Sequence, residues 1–212
     1  MDERQNSPQS PSQADFWLAS VSPRRRELLQ QLGYRFALLR VDVDESPFAG
    51  EEAAALALRL AVCKASEGAR RVAATRPLPV LGADTVVAVD GQVLGKPATQ
   101  DEALYMLGLL SGRTHSVLTA VALVVGGRTS TACSETRVSF RTLTAAEMLR
   151  YRDSGEPRDK AGGYAIQGFG AVFVQRIEGS YSGVVGLPLF ETARLLQDAG
   201  IDGWQRGWPH NE

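Results

Sequence analysis

The chain has 212 residues, with Lys+Arg 23 against Asp+Glu 24 for a formal charge of −1, and 44% of it is hydrophobic. So even a balance excludes a general phosphate-tracking nucleic-acid binder, and any anion site must be local. Cys63 and Cys133 lie outside any CxxC, and His115 and His210 are the only histidines, which excludes a disulfide framework, a zinc ribbon and a His-rich metal site. Both cysteines are expected to be reduced and buried.

Residues 1–15 are polar and rich in Pro, Ser and Gln, which predicts a disordered tail that is neither signal peptide nor membrane anchor. No later stretch approaches the roughly eighteen apolar residues of a membrane span, so the cytoplasm is the default compartment. A single α/β domain is expected over residues 16–200, with an extension over 201–212. It opens with an apolar strand at Phe16–Ala19, a tight turn, and an amphipathic helix from Arg24 to Leu32. Ser22 is placed to cap that helix, Pro23 to start it and Gly33 to stop it. A second strand is expected over Phe36–Val43, running into the acidic Asp42-Val43-Asp44-Glu45. Next comes an Ala-rich helix from Glu51 to Arg76, with Leu56, Leu60 and Cys63 on its apolar stripe and Lys64 beside it.

Leu78 to Val89 reads as a buried strand, interrupted by Gly82-Ala83-Asp84-Thr85 and closed by the hairpin signal Asp90-Gly91, with Val93–Pro97 returning. Thr99 with Glu102, and Thr144 with Glu147, have the spacing of capping boxes for helices ending near Leu110 and Asp153. Val117–Val125 and Ser134–Arg141 pair as a hairpin across Gly126-Gly127. The Gly-rich run from Asp159 to Gly170 leads into a strand at Ala171–Arg176, and a last helix runs from Leu187-Pro188 to Gly200. Interleaved helices and hairpins imply an α/β fold with a mixed sheet.

Four features could carry chemistry. Arg24, Arg25 and Arg26 crowd the first turn of a helix, where cations oppose the helix dipole unless an anion such as phosphate, or nearby carboxylates, offset them. The plainer reading is a solvated basic turn. Asp84, a carboxylate inside an apolar strand, must be paired, hydrogen-bonded or bound to a cation. With Glu45, or Asp44 beside it, Asp84 could ligate magnesium, which favours carboxylates, phosphate oxygens and water; a bulge at Asp84 and a solvated acidic loop are the structural alternatives. Lys64, Lys96 and Lys160 would together countercharge a triphosphate, although each alone reads as a surface lysine. Gln167, in the Gly-rich run, offers an amide for reading a base edge. The motif GxxxxGK[ST], a GxGxxG after a strand, GxSxG and a Ser/His/Asp set are all absent, which excludes a P-loop enzyme, a dinucleotide binder and a serine hydrolase.

Six ordered blocks together resemble the Maf family of nucleoside triphosphate pyrophosphatases over about Trp17 to Ala199: Leu18–Leu29 (LASVSPRRRELL), Gly82–Val86 (GADTV), Gly95-Lys96-Pro97, Ser111-Gly112, Asp159–Gly168 (DKAGGYAIQG) and Val185–Leu189 (VGLPL). Arg24, Thr85 and Gln167 look like the branch acting on dTTP and UTP. The resemblance implies a fold similar to inosine triphosphate pyrophosphatase, with a long mixed sheet flanked by helices and two lobes around a central cleft. It also implies a homodimer, Mg²⁺ or Mn²⁺ as cofactor, and hydrolysis of the α–β phosphoanhydride to nucleoside monophosphate and pyrophosphate. Modified pyrimidine nucleotides are a further candidate substrate class. Asp84 matches the family's proton acceptor and, with Glu45, its metal site, while Ser20, Arg24, Arg25, Lys64, Lys96 and Lys160 would line the phosphates. Val21 and Gly183 depart from the family's usual residues. Two alternatives stand beside this reading: a nucleotide-binding regulatory module of cell division, and an inosine-triphosphate-type house-cleaning enzyme.

Overall fold

A computed structural model describes residues 13–203. The disordered tail expected over 1–15 therefore lies outside the described residues except for its last three, and the extension over 201–212 except for its first three. Those ends are tied down. Asp15 N–H donates to the Arg35 carbonyl (2.9 Å), and its carboxylate pairs with the Arg35 guanidinium (3.2 Å). Ile201 N–H donates to the Leu196 carbonyl (2.8 Å). Gly203 lies so close to Leu32 and Tyr34 that a Cβ there would stand 2.9 Å from the Leu32 carbonyl oxygen.

The strands are β1 (Phe16–Ala19), β2 (Phe36–Leu38), β3 (Val80–Val89), β4 (Gln92–Leu94), β5 (Thr114–Val125), β6 (Arg128–Phe140) and β7 (Val174–Glu178). They form one seven-stranded mixed sheet in the order β2-β1-β3-β5-β6-β7, with β4 pairing onto the far end of β3. β1 runs parallel to β2 and β3, and the remaining pairs are antiparallel. The helices are α1 (Pro23–Gln31), α2 (Ala53–Val72), α3 (Gln100–Leu110), α4 (Ala145–Asp153), α5 (Tyr181–Val185) and α6 (Leu189–Asp198). None is long and apolar enough to cross a membrane.

Side-chain alternation along β3 divides the core. Leu81, Ala83, Val87 and Val89 face a cluster built with residues of α1, α3, α4, α5 and α6. Val86, with Leu118, Ala120, Ala122 and Val124 of β5, faces α2. That helix meets the sheet through a ridge of small residues, Ala57, Ala61, Ala65 and Gly68, and its backbone reaches the strand at Gly82. A Cβ at Gly82 would stand 2.6 Å from both the Ala61 carbonyl oxygen and the Ala65 nitrogen, atoms that cannot swing away. Gly82→Ala is therefore expected to destabilise the fold by about 2 kcal/mol, read as a lower urea midpoint; an unchanged midpoint would show that α2 can ride over the added methyl.

Several expectations need correction. Cys63 and Cys133 are free thiols but exposed; the buried stripe of α2 follows its small residues and leaves Cys63 off it. The strand expected over Phe36–Val43 stops at Leu38, because four-residue β1 leaves nothing beyond Leu39 to pair with. The strand expected from Ala171 begins at Val174, since Phe169–Phe173 wind into a tight helical turn. Ser22 begins α1 without a side-chain cap; instead Ser20 Oγ accepts the Ser22 N–H (3.1 Å). Thr144 and Glu147 do form a reciprocal capping box. Thr99 caps α3 through the Glu102 N–H, but Glu102 reaches back to the Ala98 N–H (2.7 Å) rather than to its own cap residue. Helix α5 had no sequence expectation. The Asp90-Gly91 hairpin holds, with both residues at positive φ (50° and 79°) as a type I′ turn requires.

Candidate active site

Asp84 stands on the face of β3 that looks toward α2, and Lys64 projects from α2 to meet it. Lys64 Nζ lies 2.6 Å from Asp84 Oδ1 and 2.6 Å from Glu45 Oε1, so one ammonium joins two carboxylates. Lys96 Nζ adds a longer contact, 3.5 Å from Glu45 Oε2. The four side chains form a gradient of exposure: Lys64 and Asp84 are 12% exposed, Glu45 45% and Lys96 58%. The inner pair is desolvated and the outer pair opens to solvent. Burial pushes the Glu45 carboxyl up, but the hydrogen bond and charge of Lys64, joined by Lys96, outweigh it and hold Glu45 below the usual carboxylate range.

The loop at 39–52 that carries Glu45 has no regular structure, yet it is strapped to α2. Arg59 forks onto both oxygens of Glu51 (2.6 and 2.7 Å), donates to the Ser46 carbonyl (3.0 Å) and stacks 4.0 Å over the Phe48 ring. The Arg59 hydrogen bond draws Glu51 down to about 2. This clamp decides between the two neighbouring acids: Asp44 Oδ1 accepts the Ser46 N–H (2.9 Å) in a local turn, leaving Glu45 to face Lys64. Sequence reasoning missed Arg59 and Glu51, since eight residues separate them and no local spacing announces the pair. Beside Glu45 opens a hollow of about 450 Å³, bounded by Val21 and residues of the 40–45 segment.

Arg25 is engaged largely within the protein. Its Nε donates to the Gly186 carbonyl (2.8 Å), Nη1 to the Ala83 carbonyl (2.8 Å) and to Ser20 Oγ (3.4 Å), and Nη2 to Thr85 Oγ1 (3.1 Å). Four of the five guanidinium N–H groups are thereby engaged, leaving one. Burial lowers its pKa, while the charges of Asp84 and Glu45 work to raise it, so the cation lies within electrostatic reach of both acids. Thr85 points to the opposite sheet face from Asp84. Its Oγ1 lies 3.0 Å from Thr119 Oγ1, which donates to the Gly183 carbonyl (2.7 Å). Ser20 and Thr85 thus join the site as supports of Arg25.

Arg24 and Lys160 form a second cationic group. Burial first, and then the Arg24 charge, push the Lys160 ammonium below its ordinary pKa against the opposing charges of Glu156 and Asp159, and among the described residues its hydrogen bonds are to the Glu156 and Arg158 carbonyls (2.6 and 3.2 Å). Two cations that feel each other, one of them already attracted by Glu156 and Asp159, would gain further from an anion placed between them. Gln167 is exposed on the Gly-rich loop, and its amide bonds to no described residue. Arg24, Lys160 and Gln167 make no hydrogen bond or ion pair to the Asp84 group.

Comparison with known proteins follows the same outline. A family described as Maf-like protein matches residues 15–199. A dTTP/UTP pyrophosphatase of Saccharophagus degradans is 51% identical over 194 residues, covering 91% of this chain and 92% of the relative. A protein of the same name from Alkalilimnicola ehrlichii is 52% identical over 195 residues (91% and 96%), and one from Bordetella avium 53% over 191 residues (87% and 95%).

Proposed function

The chain belongs to the Maf-like family, and from that premise we propose that it is a nucleoside triphosphate pyrophosphatase that hydrolyses dTTP and UTP to the monophosphate and pyrophosphate. The chemistry rests on one observation, the desolvated Asp84 carboxylate held by Lys64 in a strand that is apolar but for Thr85 on its other face. In the proposed reaction a water oxygen bonds to the α-phosphorus, the bond from that phosphorus to the α–β bridging oxygen breaks so that the oxygen leaves on pyrophosphate, and the water's proton passes to Asp84. Lys64 occupies Oδ1 of that carboxylate, and Oδ2 accepts no hydrogen bond from a described residue. A positioned base of this kind contributes about 10²–10⁴ in rate.

Charge moving onto the departing pyrophosphate needs fixed cations, and preorganised ones need not reorient during the reaction. Lys96 at the open rim and the Arg24–Lys160 pair suit that task, while Arg25 and Ser20 hold the turn on which Arg24 stands. Gln167 is assigned to the base.

The proposed cofactor is Mg²⁺ or Mn²⁺. Among the described residues no group of three or more His, Cys, Asp or Glu could form a protein cage, but Glu45 and Asp84 already converge on one cation, the Lys64 ammonium. Two carboxylates with phosphate oxygens and water are a donor set that suits magnesium. The bound ion would neutralise phosphate charge. A homodimer in the cytoplasm completes the proposal, on the family's pattern.

Purified protein with Mg²⁺ is expected to release pyrophosphate from dTTP and UTP in preference to purine triphosphates, measured by a coupled pyrophosphate assay. Release of orthophosphate instead would move the cleavage away from the α–β bond and overturn the assignment.

A further inference from the structure

The Gly-rich loop that carries Lys160 and Gln167 is closed on itself by a single carboxylate. Glu156, at the loop's start, accepts the Gly170 N–H (3.0 Å) and the Tyr151 hydroxyl (2.8 Å) on Oε1, and the Phe169 N–H (2.8 Å) on Oε2. The same Tyr151 oxygen accepts the Ala165 N–H from the middle of the loop (3.0 Å). The Glu156 backbone carbonyl receives Lys160 Nζ (2.6 Å). Backbone donors at 165, 169 and 170 thus converge on one acidic side chain and the phenol it holds, and Gln167 lies between them.

The glycines fit this clamp for reasons of space. At Gly168, φ is −118°, open to any residue, yet a Cβ there would collide with the Glu156 carboxylate. A Cβ at Gly170 would stand 2.8 Å from the Ala165 carbonyl oxygen and 2.9 Å from the Tyr151 hydroxyl. Burial pushes the Glu156 carboxyl up, but the N–H groups of Gly170 and Phe169 and the Tyr151 hydroxyl outweigh it and keep the group ionised. A charged acceptor with three donors is the stronger class of hydrogen-bonded anchor.

We propose that Glu156, acting through Tyr151 and the amides of residues 165–170, is a positioning residue that sets Gln167 for the base, and so governs discrimination among bases rather than the bond-breaking step, Lys160 being held by the Glu156 backbone carbonyl instead. This rests on the pyrophosphatase reading above. Glu156→Gln keeps the size but places an NH₂ against a backbone N–H, so at least one of the three bonds is lost. It is expected to raise KM for dTTP about tenfold and to narrow the preference for dTTP over dCTP by a similar factor, leaving kcat within about threefold. Tyr151→Phe, which removes the hydroxyl alone, should act in the same direction more weakly, and serves if the first variant folds poorly.

Hydrogen exchange supplies a readout that needs no substrate. The amides of Ala165, Phe169 and Gly170 should exchange about tenfold faster or more in E156Q, with those of β5 unchanged. Unchanged exchange at those three amides would overturn the clamp whatever the activity. Faster exchange with unaltered KM and base preference would overturn its role in recognition. A wild-type protein inert toward dTTP would sink the pyrophosphatase reading and with it that role, while the exchange data would still decide whether the clamp exists.

Discussion

The Asp84→Asn variant is expected to fold like the parent and lose about three orders of magnitude in kcat, within the range of about 10²–10⁴ for a removed general base. The substitution preserves shape, and its amide oxygen can still accept from Lys64. Lys64 is also not stranded, because Glu45 remains 2.6 Å away as its second carboxylate. The usual severe penalty for breaking a buried ion pair, a charge left without a partner, is thereby avoided. What disappears is the negative charge and the proton affinity at one point of a strand whose neighbours, Ala83 and Val86, are buried and apolar. The thermal midpoint should move by a few degrees at most, and KM for dTTP should change far less than kcat. A variant within tenfold of wild-type kcat would remove Asp84 from the chemistry and leave it a structural partner of Lys64.

The parts of this arrangement differ in how far local sequence announces them. Asp84 was legible because a carboxylate within an apolar run demands a partner, and Lys64 because it borders the stripe of a long helix. The hairpins and the Thr144–Glu147 box were equally legible, since their physics is contained within a few residues. The choice of Glu45 over Asp44 was not, because it depends on Arg59 strapping an irregular loop to α2. The use made of Arg25 was hidden most deeply. Two of its acceptors, the carbonyls of Gly186 and Ala83, lie 161 and 58 positions away, so a residue that reads locally as a phosphate fork also braces α1, β3 and the end of α5. Thr85 follows the same logic: adjacent to Asp84 in the chain, it belongs to the opposite face of the sheet and supports the site from behind. Strand ends failed for a related reason, since a strand such as that from Phe36 persists only as far as its neighbour does.

Acid should loosen the fold through His115, the only histidine among the described residues. It is 2% exposed on β5, its Nε2 lies 2.9 Å from the Tyr164 hydroxyl, and its ring packs edge-on to Phe140 and Tyr164 at centroid distances of 5.0 and 5.4 Å. Nδ1 is buried without a partner, so the doubly protonated ring would carry an N–H there with no acceptor, whichever nitrogen takes the new proton. Burial accordingly holds the imidazole down to about 4, from an ordinary value of 6.5. Between those two values the unfolded chain binds a proton that the folded one refuses, so stability is full above pH 6.5 and declines as pH falls toward 4. The shift corresponds to roughly 3 kcal/mol. Urea unfolding across pH 7 to 4 should show His115→Gln losing less stability than the parent by about that amount, whatever the offset between them at pH 7. Parallel pH profiles for the two proteins would mean that His115 is protonated without cost and that the aromatic cluster is wetter than its packing implies. Because Tyr164 belongs to the loop bearing Lys160 and Gln167, the strain of a buried imidazolium would fall first on that loop. Loss of dTTP affinity should therefore precede global unfolding as the pH is lowered.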